Sequence, residues 1–398
     1  YKNKKFNLKK YSLDLYKCKM CNLIQLSKTP KSHQMFGETY EYRTSLSNLM
    51  ILHIKNKIEY LKKKNLIKHH SSVLDIGSND GTFLNNLNKS MQLFGIDPSA
   101  KKFKHLYKKN INIIDNFFSK KNIEDFLQKK IGKKIQFDLI TSFAMFYDVN
   151  DPNSFCSDIN KLLKRNGIWI LELAYFPLML KNLTYDQICH EHVTYYTLTI
   201  FKKIVEKHNL KIIDVSFNEI NGGSIEIVCA KKNSKFKENK KKISKILADE
   251  KKIKEISYEN FNKRINRVRI LLKMFLNLNS KKKIIGYGAS TKGNIVLNHC
   301  KVKNTEIKEI CDGSIRKISK YTPGSNIKII SKEEMRRKKP DYLFVLIWSF
   351  RKEVIKQELN FLKSGGKLVF HLPRFHIINI NNFKSYLKED FKNLSYSY

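Results

Sequence analysis

The stretch Tyr185-Asp-Gln-Ile-Cys189-His190-Glu191-His192-Val-Thr-Tyr195-Tyr196 packs two imidazoles, a glutamate and several phenols into twelve residues. Imidazole is the natural base near neutral pH, and an adjacent carboxylate can orient it and raise its basicity. His192 is the candidate base, Glu191 its partner and His190 the next candidate. A metal site and a polar loop without chemistry are the rival readings. His190 and His192 stand two apart, so the helical zinc spacing His-Glu-x-x-His is absent.

A second constellation is Ser72-Val-Leu-Asp75-Ile-Gly77-Ser-Asn79-Asp80-Gly81-Thr82. It reads as a strand, a glycine-rich turn and the start of a helix. Small residues let the backbone approach a ligand at the carboxyl end of a strand. Asp75 and Asp80 would repel a pyrophosphate at the helix N-terminus, so the turn suits a ligand with positive charge and an amino group. The next strand ends in Gly95-Ile-Asp97-Pro98, and a carboxylate there can accept two hydrogen bonds from a ribose diol.

Two weaker motifs stand outside these. Gly286-Tyr-Gly288-Ala-Ser290-Thr-Lys292-Gly293-Asn294 follows a strand and opens a helix, but its third glycine comes late and no P-loop is present. Lys292 and small residues at a helix N-terminus suit a diphosphate. Cys18-Lys-Met-Cys21 supplies half of a four-thiolate structural zinc site. With only two thiols, zinc is expected to be incompletely held by this chain.

The elements that must position these residues follow from patterning. A helix is expected over 47–67. Short apolar runs at 73–76, 93–96, 111–114, 137–141 and 168–173 alternate with helix-like segments, which is the order of a parallel, doubly wound sheet. Runs at 211–215 and 224–229, joined through Asn221-Gly222-Gly223, add an antiparallel pair. Residues 232–280 are Lys/Glu-rich with apolar spacing of three and four and read as connecting helices. A second α/β unit begins near Lys283, with strands at 284–287, 307–311, 342–347 and 367–370. The division is 1–45, a truncated zinc-binding module; 46–231, the first α/β domain; 232–280, a helical linker; and 281–398, a Rossmann-like domain.

Composition bounds what such a chain can be. Its 398 residues allow two or three domains, and 41% apolar residues exclude a disordered chain. There are 77 Lys and Arg against 36 acids, a net +41, but only ten of the 77 are Arg. Lysine spread along the whole chain among Asn, Ile, Tyr and Phe marks solvated faces and non-specific attraction to polyanions. No specific nucleic-acid site is expected. No apolar run reaches membrane-span length and no secretory signal opens the chain. The chain opens on Tyr rather than Met, and is expected to begin within a longer product. Seven cysteines, an odd number with one motif-spaced pair, suit reduced thiols and a cytoplasmic protein. The oligomeric state is not fixed by any of these features.

Over residues 71–231 the chain resembles the class I S-adenosylmethionine-dependent methyltransferases. Asp75, Gly77, Asn79 and Gly81 match that family's first motif and Asp97 its ribose acid. Asn116-Phe117-Phe118 matches the segment that touches adenine, and Asp138-Leu-Ile-Thr-Ser142-Phe143 the motif ending the fourth strand. The His-Glu-His loop followed by an aromatic pair narrows the resemblance to sugar C-methyltransferases acting on nucleotide-linked 4-keto-deoxysugars. Glu172 after the fifth strand, Asn221-Gly-Gly-Ser224, Tyr40-Glu-Tyr42-Arg-Thr-Ser45, the Gly286–Asn294 turn, Thr322-Pro-Gly324 and Leu346-Ile-Trp-Ser-Phe350 agree with it. Cys189 departs from the tyrosine usual before His-Glu-His.

The resemblance implies S-adenosyl-L-methionine as cofactor, held by Asp75, Gly77, Asn79, Gly81, Asp97, Phe117 and Ser142. It implies a nucleotide-sugar substrate met by Tyr40, Tyr42, Gly286, Gly288, Ser290 and Lys292. It also implies a structural zinc at Cys18, Cys21 and a second pair upstream. A ketone acidifies the neighbouring C–H, so a base there would give an enolate that can accept a methyl group. Methylation at oxygen or nitrogen of a related sugar is the enzymatic alternative, and a basic nucleic-acid-binding or scaffold protein the non-enzymatic one.

Overall fold

A computed structural model describes residues 11–36, 40 and 42–390. They form two compact units: 14–176 with 190–252, and 11–13 with 177–189 and 253–390. Among the described residues no helix is long and apolar enough to cross a membrane.

The first unit is built on seven strands: β1 Ser72–Ile76, β2 Gln92–Ile96, β3 Ile111–Ile114, β4 Phe137–Phe143, β5 Leu163–Ala174, β6 Leu210–Asn218 and β7 Ser224–Lys231. Their order across the sheet is β3-β2-β1-β4-β5-β7-β6, with β7 antiparallel to both its neighbours and the first five parallel. All five residues of β1 are buried, as a central strand covered on both faces requires. Beside the sheet, the buried Trp169 indole packs on Phe146, Phe155 and Phe201 at ring separations of 5.7–5.9 Å.

β5 runs longer than its apolar run, so Glu172 lies inside the strand rather than after it. Gly167, near its start, is a close-approach position: a Cβ there would meet the Phe137 carbonyl oxygen at 2.6 Å. Helix α1, Asn48–Lys63, begins where expected, with the Ser47 hydroxyl accepting from Met50 N. It stops four residues earlier than the pattern suggests. Asn65 takes φ 50° and Leu66 N bonds back to Leu61 O, a left-handed helix stop.

A small antiparallel sheet went unread in the sequence. Leu15–Lys17 pairs with Ile24–Leu26, which pairs with Thr194–Tyr195. Strands of two or three residues leave too short a pattern to detect, yet this pairing pins the backbone that follows His192.

In the second unit the strands are β8 Ile284–Tyr287, β9 Glu309–Cys311, β10 Lys328–Ile330, β11 Tyr342–Val345, β12 Lys367–Phe370 and β13 His376–Ile378, in the order β10-β9-β8-β11-β12-β13. Only β13 is antiparallel. Two helices occupy the Lys/Glu-rich stretch, α2 Lys240–Glu250 in the first unit and α3 Glu255–Leu278 in the second. Helix α4, Thr291–His299, follows the second glycine turn.

Residues 177–189 pack within the second unit. The Arg264 guanidinium donates to the carbonyls of Leu180 and Lys181 at 2.6 and 3.2 Å, and Trp348 Nε1 donates to Asp186 Oδ2 at 2.8 Å. The twelve residues read as one polar loop are therefore divided: Tyr185–Cys189 belong to the second unit, His190 onwards to the first.

Candidate active site

A cavity of about 350 Å³ opens at the carboxyl ends of β1, β2, β4 and β5. Asp75, Gly77, Asn79, Asp97, Phe117, Tyr40 and Tyr42 all line it. Seven residues expected from four separate segments thus meet on one wall system.

The turn after β1 is held by its own side chains. Asn79, at φ 50°, accepts from Thr44 N at 3.1 Å and donates to the Tyr42 carbonyl at 3.1 Å, which draws the tyrosine segment to the cavity. Gly77 has φ +72°, and a Cβ there would lie 2.9 Å from Met145 Cγ. Both the backbone and the space exclude a side chain. Asp80 accepts from Ser45 N at 2.9 Å and from the Thr82 hydroxyl at 2.6 Å. It orders backbone rather than facing the cavity.

Asp97 is pre-organised. Its carboxylate accepts from Asn79 N at 3.0 Å, Ser99 N at 2.7 Å and the Ser99 hydroxyl at 2.5 Å. Burial raises its pKa while those bonds oppose the rise. Asp75 accepts from the Thr141 hydroxyl at 2.6 Å, and burial pushes it up to about 7 against that bond, with the Asp97 charge adding to the rise. A positive ligand group beside Asp75 would relieve the cost of ionising it. Phe117, 40% exposed, gives the mouth a free aromatic face. Two acids, an aromatic face and a glycine cradle fit S-adenosylmethionine.

Two expected cofactor residues, Gly81 and Ser142, are not among the described residues lining the cavity. Gly81, φ +74°, starts the short helix Thr82–Asn85, and a Cβ there would meet the Tyr107 ring at 2.7 Å. The buried Ser142 hydroxyl accepts from Trp169 Nε1 at 3.1 Å. His190, Glu191 and His192 are not among the residues lining the cavity. His192 is 8% exposed, its ring 4.1 Å from that of Tyr147. Burial holds the Tyr40 phenol well above its ordinary pKa, and the charges of Glu191 and then Asp148 add to this, so the loop and the cavity act on each other electrostatically.

Sequence reasoning missed His53, which lines the cavity from α1. Its Nε2 lies 2.8 Å from Glu172 Oε2, which also accepts from Asn218 Nδ2 at 2.7 Å. Lys57, on the same helix, pairs with Glu226 and stands 3.9 Å from Glu172. A lone histidine in a Lys-rich helix carries no motif, and only the fold brings it to Glu172.

In the second unit, the Gly286–Asn294 turn forms as expected between β8 and α4. Gly288 has φ +93°, and a Cβ there would meet Ile347 Cγ2 at 2.6 Å. Gly286 gives room to Ile310 in the same way. Ser290 caps α4 by accepting from Gly293 N at 3.0 Å. The sequence shows no acid in the turn, but the fold supplies two nearby. Asp312 Oδ2 accepts from Ala289 N at 2.8 Å, with Lys317 beside it, and the buried Asp186 feels the positive charge of Lys292.

Cys18 and Cys21 lie in the turn between the first two short strands. The Cys18 thiol is drawn below its ordinary pKa by hydrogen bonds from the Cys21 and Met20 backbone. Among the described residues no group of three or more His, Cys, Asp or Glu gathers to hold a metal. Two thiols do not make the closed four-ligand site expected of structural zinc.

Comparison with known proteins matches two successive stretches of the chain, which meet at the end of β6 rather than where the two units divide. A family profile described as "Methyltransferase domain" matches residues 48–215, and one described as "C-methyltransferase C-terminal domain" matches residues 219–373. The C-methyltransferase NovU of Streptomyces niveus is 27% identical over 380 residues, covering 93% of this chain and 88% of NovU. Among solved structures, the Haloferax volcanii complex of the Trm112 methyltransferase activator with a methyltransferase aligns at 12% identity and a TM-score of 0.34 over 48% of this chain and 99% of that one. An S-adenosylmethionine-dependent methyltransferase from Listeria monocytogenes aligns at 12% identity and 0.32 over 44% and 99%.

Proposed function

We propose, for a chain that is an S-adenosylmethionine-dependent methyltransferase with a C-methyltransferase C-terminal domain, that the acceptor is a carbon beside the ketone of a nucleotide-linked keto-deoxysugar. The observation that carries this reading is the match of residues 219–373 to a C-methyltransferase domain. A carbon acceptor must first lose a proton, and a neighbouring carbonyl makes that loss feasible.

Asp97 would take the cofactor's ribose diol, Asp75 its ammonium group, and Phe117 its adenine. When bound, S-adenosylmethionine supplies a methyl group on a positively charged sulfur. The chain's own task is to make and hold the carbanion. His192 removes the proton from the carbon beside the ketone, with Glu191 stabilising the imidazolium and His190 as reserve. Tyr40 and Tyr42 donate hydrogen bonds to the enolate oxygen. One observation favours a second base, His53 with Glu172: this pair lines the cavity and is already hydrogen-bonded. We place the enzyme in the cytoplasm, where its free cysteines stay reduced.

With a carbon-13 methyl label on the cofactor and a nucleotide-linked 4-keto-deoxyhexose as acceptor, the product's labelled methyl should resonate as a carbon-bound methyl. A resonance typical of a methyl ether or methylamine would assign the oxygen or nitrogen reading instead.

The Gly286, Gly288, Ser290 and Lys292 turn is our proposed seat for the substrate diphosphate, at the positive N-terminal end of α4 with the charge of Lys292 beside it. Binding energy from a group remote from the reaction serves ground and transition states alike. Lys292→Ala should therefore raise KM while kcat changes much less, and S-adenosylmethionine affinity should not move. A variant with normal KM and normal nucleoside diphosphate affinity would make the turn purely structural.

A further inference from the structure

Asp148 ends the single helical turn Phe146–Asp148 that follows β4, and it lines the cavity. Its Oδ1 is buried and has no hydrogen-bond partner among the described residues. The same turn is fastened to the chain just after the His-Glu-His triplet. The Tyr147 carbonyl accepts from Val193 N at 2.9 Å and from the Thr194 hydroxyl at 3.3 Å, and the Tyr147 ring stacks obliquely on His192. Asp148 therefore stands where the cavity and the acid–base residues adjoin.

A buried carboxylate oxygen with no donor is costly, and a second carboxylate nearby makes it costlier. Burial holds Asp148 well above the ordinary carboxylate range, and the charge of Glu191 adds to this. The charged and titratable groups that act on it are Glu191 from the loop and Tyr40 from the N-terminal segment, with His192, next to Glu191, against the Tyr147 ring. Around the same cavity stand Glu172 with His53, Asp75 and Asp97. Among the described residues no lysine or arginine side chain lines that cavity to favour the ionised form.

We propose that Asp148 is a further catalytic residue, a neutral carboxylic acid that donates a hydrogen bond to the acceptor's carbonyl oxygen as negative charge gathers there. The proposal rests on the enolate reading above. The proton from carbon passes to the base, the electron pair of that C–H bond forms a double bond to the carbonyl carbon, and the carbonyl π pair moves onto the oxygen. Asp148 keeps its own proton and shares it in the hydrogen bond. When that carbon–carbon π pair forms the bond to the methyl group, the methyl–sulfur bond breaks with its pair left on sulfur, the oxygen's pair returns to re-form the carbonyl, and the base gives up its proton to water. A carboxylic acid kept neutral by an apolar site is a strong donor for this task.

Two substitutions test it. Asp148→Asn keeps N–H donors at the same place and should hold kcat within about tenfold of wild type, whereas Asp148→Ala should lower kcat by roughly 10²-fold. Cofactor affinity should stay unchanged in both, which separates the effect from general damage. In wild type kcat should fall as rising pH ionises Asp148, and that limb should vanish in Asp148→Asn. The free protein offers a readout without substrate: with Asp75, itself raised to about 7, replaced by Asn, the infrared spectrum at neutral pH should hold a carboxylic-acid carbonyl band that Asp148→Asn removes. An Asn variant as impaired as the Ala variant, an Ala variant with normal kcat, or no such band would overturn the proposal. Wild type that methylates its acceptor without prior exchange of the carbon-bound proton would sink the enolate reading, while the band would still report the neutral carboxyl. Equal exchange in wild type and the Ala variant would remove Asp148 alone.

Discussion

His192→Ala is expected to lower turnover by about 10²–10⁴-fold while S-adenosylmethionine affinity stays at the wild-type level. The magnitude is that of losing a positioned base. The separation between turnover and binding follows from location, since His192 packs on Tyr147 and is not among the residues lining the cavity. Because His192 is buried, His192→Gln is the partner variant: it fills the space but cannot accept a proton. Both variants should be equally slow, with thermal stability closer to wild type for Gln. His53→Ala is the competing measurement. If it abolishes turnover and His192→Ala does not, the base is His53 with Glu172 as its orienting acid.

The second large effect concerns the cofactor. Asp97→Ala removes a carboxylate that is already fixed by three hydrogen bonds. Losing a charge-assisted bond to a ribose diol costs roughly 1.5–3 kcal/mol, about 10–150-fold in Kd by calorimetry. Equal affinities would take Asp97 out of the site. Asp75 adds a pH dependence whose sign is fixed by its raised pKa of about 7. The stability that this raised pKa confers is present below the ordinary carboxylate pKa and is lost as pH rises through about 7. A cationic ligand favours the ionised form, so cofactor affinity should increase as pH rises through about 7. Asp75→Asn should flatten that increase. An unchanged pH profile in the Asn variant would assign the titration to another group.

The clustering of Asp75, Gly77, Asn79 and Asp97 at one cavity was legible because these residues come as contiguous strand–turn–helix units. Asp75 to Asn79 share one turn, Asp97 closes the next strand, and parallel topology brings both to the same edge. Tyr40 and Tyr42 required the resemblance, since nothing in their local pattern predicts that Asn79 will clip their segment to the turn. Gly81 and Ser142 show the opposite limit. Their positions match the motif, but the structure sets Gly81 against the Tyr107 ring and Ser142 under the Trp169 indole, outside the cavity lining. His53, Asp148 and Asp312 went unread because each acts through a residue distant in sequence. A Lys-rich helix hides the first, a single helical turn the second, and a strand end in the other unit the third. The division between Cys189 and His190 was invisible for a similar reason. Only the packing of 177–189 on Arg264 and Trp348 reveals it.

Solvent exchange at the acceptor carbon tests the central claim most directly. Wild-type enzyme, given the keto-sugar nucleotide in deuterated water without S-adenosylmethionine, should replace the proton on the carbon beside the ketone by deuterium. His192→Ala should do so more slowly by about the same 10²–10⁴-fold as its turnover. A wild-type enzyme that methylates this acceptor yet leaves that proton unexchanged, or a His192→Ala variant that exchanges it at the normal rate, would contradict the account.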